Sequence, residues 1–165
     1  MEEYIKQAKE LGMVNALLIG PDDIVFDIRA ILKCRWGCED ISENNVRYHN
    51  RNTSYDERVA MVKKYKHILL VHSHDETALS NALLEIERSA FLDGNYFAFV
   101  LRCCHVCKTC ITEEGKPCPT PRKIRPCEEL FGIDVFKTVR NLDLPCETLK
   151  NRDEVQNRYG FVLIE

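Results

Sequence analysis

The chain has 165 residues, 45% hydrophobic and 30% charged, which is the composition of an ordinary globular protein able to bury a core without a metal to hold it together. Its 23 Lys and Arg against 26 Asp and Glu leave a formal charge of −3, which argues against a general nucleic-acid binder. Nine cysteines are too few for a short disulfide scaffold, and an odd number would leave one thiol over after full pairing.

The opening Met1-Glu2-Glu3-Tyr4-Ile5-Lys6 has no apolar run behind a basic flank, so no secretory signal is expected. No apolar stretch approaches the roughly 18 residues of a membrane span, and no membrane partner is expected either. The expected setting is the cytoplasm, where cysteines serve as metal ligands or redox groups more often than as bridges. The length suits one domain over residues 1–165.

In chain order, Glu2 to Leu11 reads as a helix with Ile5 and Leu11 inward and Gly12 as its stop. Val14 to Ile19 is apolar and closed by Gly20-Pro21-Asp22, a buried strand ending in a turn. Ile24 to Leu32 alternates and predicts a second strand, delivering Cys34 and Cys38 at its end. Glu39 to Ser54 is polar and reads as a surface loop. Asp56 to Lys66 predicts a helix with Val59, Val62 and Tyr65 inward, and His67 to His72 a central strand. Ser73-His74-Asp75-Glu76 has the form of a capping box. The helix after it carries Leu79, Ala82, Leu83, Ile86 and Ala90 on one face before Gly94 closes it. Tyr96 to Leu101 predicts a further strand, Asp134 to Leu142 a short helix, and Phe161 to Ile164 the last strand. Helix, strand, helix, strand in the middle of the chain predicts parallel pairing through a right-handed crossover. The expected fold is therefore α/β: a small, largely parallel sheet flanked by helices, with a cysteine-rich insertion at 102–127 after a central strand.

That insertion holds six of the nine cysteines and four of the six prolines. Its core is Cys104-x2-Cys107-x2-Cys110, with Cys118-Pro119 after seven more residues. Three thiolates at successive spacings of three can wrap one face of a compact cluster, and a fourth closes the far side. The bacterial ferredoxin pattern is the nearest physical template, and it points to one [4Fe–4S] cluster held by Cys104, Cys107, Cys110 and Cys118. Zinc is the competitor, although structural zinc sites usually bring two Cys pairs from separate places. The basic residues Arg102, Lys108, Lys116, Arg122, Lys123 and Arg125 outnumber Glu113 and Glu114, which suits an anionic centre. The segment has no aromatic residue to stack on bases, so no nucleic-acid partner is expected.

Together with Arg125-Pro126 and Gly132-Ile133-Asp134-Val135-Phe136, this pattern resembles an uncharacterised prokaryotic family of predicted metal-binding proteins, common in anaerobic bacteria and archaea. The resemblance extends upstream to Cys34-Arg35-Trp36-Gly37-Cys38 and downstream to Tyr159-Gly160-Phe161. It implies a metal centre, iron–sulfur in type, and no established reaction. The family pattern carries a Cys-Pro-Pro downstream of the upstream cysteine pair, where this chain reads Tyr48-His49-Asn50. Conversely, Cys127 stands where the family more often has serine. Cys34 and Cys38, with Cys127 or Cys146, are thus candidates for a second metal site.

The remaining candidates have plainer readings. Cys34-x3-Cys38 lacks the third cysteine of the radical-SAM pattern, because position 41 is Ile41. Cys103 reads as an inert thiol facing away from Cys104, Cys146 as structural, and His105 as a hydrogen-bonding group beside filled thiol positions. His72-Ser73-His74 reads as a strand end with a capping serine. No nucleotide-binding glycine loop or nucleophile elbow occurs. The expected function is a redox, electron-transfer or accessory module with a protein redox partner, in a chain that could form a homodimer. The alternatives are an enzyme with an open cluster site for a small substrate and a zinc-stabilised interaction module.

Overall fold

Apolar runs far apart in the chain meet in one four-stranded sheet in the computed structural model, which describes residues 1–36, 52–151 and 153–165. The strands are β1 (Asn15–Ile19), β2 (Ile68–Ser73), β3 (Phe99–Leu101) and β4 (Arg158–Leu163), in the order β1-β2-β4-β3. Every neighbouring pair is antiparallel, with Leu17 opposite Leu70, Leu70 opposite Phe161 and Val100 opposite Val162. The expectation of a largely parallel sheet is therefore wrong. All six residues of β2 are buried, so its apolar run has no polar side to betray its pairing. A run buried on both faces is what a parallel strand usually presents. Here helices cover both faces of an antiparallel sheet.

A β-α-β connection is nevertheless present, although the two strands it joins do not pair. Both β2 and β3 are antiparallel to β4, so they run the same way, and α4 (Glu76–Leu92) connects them. The C-terminal strand then slots between the two, splitting the β-α-β unit. This also corrects the position of the cysteine-rich loop: it leaves β3, which is an edge strand and not a central one.

Strand alternation divides the core. On one face Leu69, Val71 and Val162 meet Tyr4 and Ala8 of α1 (Glu2–Glu10) and Leu79, Leu83 and Ile86 of α4. On the other, Ile68, Leu70, Phe161 and Leu163 meet Val62 of α3 (Tyr55–Val62) and Val139 of α5 (Val135–Asn141). Gly160 lets α4 come close, since a Cβ there would sit 2.5 Å from Leu83 Cδ1.

Several local expectations shift. In α1 Tyr4 and Ala8 are buried and Ile5 packs against them at the core's edge, as expected of it, whereas Leu11 lies past the helix end and is 40% exposed. The face of α4 is as the periodicity predicts, but its N-cap is Asp75, which accepts the Ala78 N–H at 2.7 Å. Ser73 Oγ instead accepts the N–H of Asp75 at 3.1 Å. The strand expected over Ile24 to Leu32 is replaced by α2 (Ala30–Trp36), and Phe26 makes only an isolated bridge to Ile133. The chain turns there because the Asp27 carboxylate accepts the Arg29 N–H at 2.9 Å, and Ile31 and Cys34, three apart, then share the buried side. Cys38 and the loop expected up to Arg51 lie outside the described residues. Among those described, no helix is long and apolar enough to cross a membrane.

Candidate metal centre

Glu87 of α4 anchors the cysteine-rich loop. One of its carboxylate oxygens accepts the edge-strand N–H of Val100 at 2.7 Å and the Arg125 Nε–H at 2.8 Å. The other takes a second, short bond from the same guanidinium, making the pair bidentate. Arg125 also lies over the Phe99 ring, 5.2 Å from its centre. The end of the loop is thereby fastened to the strand from which the loop departs.

Between these points the chain makes two 3-10 turns, Ile111–Glu114 and Pro121–Lys123. Gly115 closes the first with a left-handed φ of 74°, a conformation that a side chain would resist. This path brings Cys104, Cys107, Cys110 and Cys118 around one cavity of about 50 Å³. Ile111, Pro119 and Ile124 complete an apolar wall, and no carboxylate or imidazole lines the space. Cys110 Sγ lies 2.9 Å from the Thr112 hydroxyl. Cys107 is exposed, while the other three thiols are half-buried. An all-thiol donor set suits iron–sulfur clusters or zinc and disfavours hard cations. His105 is not among the residues lining this cavity. Its Nδ1 is 3.0 Å from the Cys103 carbonyl, its N–H donates to Ser80 Oγ, and its Nε2 is 3.8 Å from Glu76.

A second thiol group lies beneath the loop. Cys34 from α2, Cys103 after β3 and Cys127 at the loop's end are buried together with Leu130. Cys127 packs with both other thiols and donates a short bond to the Glu129 carboxylate. The ligand atoms of Cys127, Glu128 and Glu129 all fall within 4.8 Å of one another. Glu128 is fully buried, accepts the Cys103 N–H at 3.4 Å and pairs with Arg102 at 3.3 Å. Burial pushes the Glu128 carboxyl up to about 7 against the pull of Arg102. The Cys103 contact lowers the Cys127 thiol, but the Cys34 contact, burial and the two carboxylates outweigh it and hold the thiol well above its ordinary range.

Of the residues expected in a second site, Cys34 and Cys127 are thus brought together, and Cys38 lies outside the described residues. Cys146 packs against the α3/α5 face of the sheet, where its carbonyl accepts from Arg140. Cys103, expected to be an inert buried thiol or a spare ligand, is buried and belongs to this group. The alternation that turns it away from Cys104 aims it at Cys34 and Cys127. Arg102, Glu128 and Glu129 were not singled out by sequence reasoning. Their one local signal is the run Cys127-Glu128-Glu129, two acids directly after a thiol.

His72 is a satisfied core histidine, bonded to Asn157 Oδ1 at 2.9 Å and stacked on Tyr159 at 4.6 Å. A far roomier cavity, about 610 Å³, lies at the other end of β3 beside Tyr65, Tyr96 and Phe97 and has no thiol or imidazole in its lining. Size and donor chemistry therefore single out different places.

No curated protein and no solved structure matches the chain. A family model described as "Predicted metal-binding protein (DUF2284)" matches residues 17–164, a span that includes both thiol groups. The chain belongs to this family of predicted metal-binding proteins.

Proposed function

We propose that Cys104, Cys107, Cys110 and Cys118 hold a [4Fe–4S] cluster and that the chain works as a small redox or accessory module for a protein partner. The observation that carries this reading is the single cavity lined by four thiols and by no carboxylate or imidazole. Their spacing, three thiols in seven residues and a fourth before a proline, is nearest to the bacterial ferredoxin pattern, in which the fourth cysteine follows after three residues instead of seven. Such a cluster, when bound, supplies reversible one-electron transfer.

The chain's own residues have defined parts in this reading. The Thr112 hydroxyl beside Cys110 Sγ is placed to hydrogen-bond a ligand sulfur, which is one way a protein sets a cluster's potential. Ile111, Pro119 and Ile124 keep water from one wall. Cys107, the exposed thiol, marks the side from which an electron would enter or leave. The exposed Lys116, Arg122 and Lys123 suit a partner with an acidic docking face. The Glu87–Arg125 clamp keeps the loop's end in register with β3.

Iron and acid-labile sulfide counts on protein purified without oxygen test the reading. About four of each per chain are expected, as a [4Fe–4S] core requires. A colourless protein without sulfide would overturn it and leave zinc in the loop. A spectrum that moves when small anions are added would favour an open coordination site, and with it an enzyme.

A further inference from the structure

We infer that Cys34, Cys103 and Cys127, with the Glu129 carboxylate, form a second, mononuclear site for zinc beneath the loop. The inference concerns different residues from the loop thiols and does not depend on what those hold.

Three separate parts of the chain converge here. Cys34 comes from the buried side of α2, Cys103 from the residue pair after β3, and Cys127 from the start of the turn leading to Phe131. All three thiols are under 9% exposed. Buried cysteines alone would be unremarkable, since a thiol packs as a small hydrophobe. These are not merely packed. Cys127 also donates a short bond to the Glu129 carboxylate, and its Sγ lies within 4.8 Å of carboxylate oxygens of both Glu128 and Glu129. In a tetrahedral zinc site, Zn–S bonds of about 2.3 Å set neighbouring sulfurs roughly 3.8 Å apart, a spacing that thiols packed in one cluster reach by side-chain rotation.

The surroundings carry a second, independent sign. Two buried guanidinium groups stand within electrostatic reach of the thiols: Arg58 of Cys34, and Arg102, which also pairs with Glu128, of Cys103 and Cys127. Arg58 is 2% exposed and donates to the Thr53 carbonyl at 2.7 Å. The Nε atoms of Arg58 and Arg102 are both buried without a hydrogen-bond partner among the described residues. Buried cations are costly unless opposed by negative charge. Thiolates gathered on a zinc ion supply that charge, because three thiolates and a carboxylate exceed the ion's own two positive charges. Glu128 then acts outside the ligand shell, since its oxygens accept the Cys103 N–H and the Arg102 guanidinium and so orient a ligand's backbone.

A route in also exists. Glu129 is only half-buried and lines a cleft of about 320 Å³ that is bordered by Asp27, Lys33 and Asp134. The carboxylate therefore stands between solvent and the closed thiol group, where a hydrated ion can exchange water for it first. Zinc bound here would tie α2, the end of β3 and the turn after the loop into one knot.

The test is zinc content per chain by elemental analysis, on wild-type protein and on Cys34→Ser, Cys127→Ser and Cys118→Ser. Cys34→Ser and Cys127→Ser should each hold about one zinc per chain fewer than the wild type, whatever the loop thiols hold, whereas Cys118→Ser should keep the zinc of this site. Absence of zinc from the wild type, or a zinc count unchanged in both Cys34→Ser and Cys127→Ser, would overturn the inference. Should those variants fail to fold, thiol alkylation of the native wild type followed by mass spectrometry decides instead. Labelling of Cys103 and Cys127 should rise at least tenfold after chelator treatment; labelling indifferent to chelation would overturn the site.

Discussion

Cys103 and Cys104, joined by one peptide bond, belong to two different thiol groups: Cys103 is buried with Cys34 and Cys127, and Cys104 lines the loop cavity. Consecutive Cα atoms are about 3.8 Å apart, so the two groups share a short stretch of backbone and move together. Exchange of each for serine should therefore give opposite signatures. Cys104→Ser should lose loop iron and keep zinc, while Cys103→Ser should lose zinc and keep most of the iron. Elemental analysis of the two proteins side by side checks this; identical losses would mean a single shared site.

The Glu87–Arg125 clamp predicts a stability effect. Both side chains are largely buried, at 13% and 17% exposure, and removing one partner strands the other's charge. Glu87→Gln should cost about 3 kcal/mol, at the low end for a broken buried pair. Urea unfolding would measure this, and Arg125→Met combined with Glu87→Gln should cost less than the sum of the single changes. Additive costs would mean that the pair is not coupled.

Gly132 closes the turn that carries Glu129 and adopts a φ of 73°. A Cβ there would collide with the Tyr55 ring. Gly132→Ala should therefore destabilise by about 2–3 kcal/mol, from left-handed strain plus overpacking. It should also weaken zinc retention, because the same turn positions Cys127 and Glu129. Unchanged unfolding midpoint and zinc content would contradict this placement of the turn.

Burial holds the His72 imidazole below its ordinary value of 6.5 against the Asn157 hydrogen bond, and neighbouring His74 adds to the depression. A histidine whose pKa is lowered by folding contributes stability above the unfolded value, and that contribution is lost as pH falls through the folded value. Acidification below about 6.5 should therefore destabilise the wild type more steeply than His72→Phe, which cannot take up a proton there. Urea midpoints of both proteins across this range would show the difference in slope, and parallel curves would remove His72 from the account.

The parts that could be read in the sequence are those whose signal is local. The inward face of α4 follows from residues spaced by the helical repeat, and the loop thiols lie within fifteen consecutive positions. The strand directions had no such signal. Ile68 to Val71 is apolar on both sides, and nothing near β3 announces that a strand beginning at Arg158 will insert beside it. The buried thiol group was hidden for a similar reason: Cys34, Cys103 and Cys127 are separated by most of the chain, and only the split sheet brings them together. Asp27 likewise overrode an alternating pattern, because its bond to the Arg29 N–H turns the chain into α2.

The central claim, a cluster on Cys104, Cys107, Cys110 and Cys118, is tested most directly by electron paramagnetic resonance of dithionite-reduced protein, comparing the wild type with Cys118→Ser. A reduced-cluster signal in the wild type that is lost or altered in Cys118→Ser is the predicted result. No signal in an iron-replete wild type, or the same signal in both proteins, would contradict it.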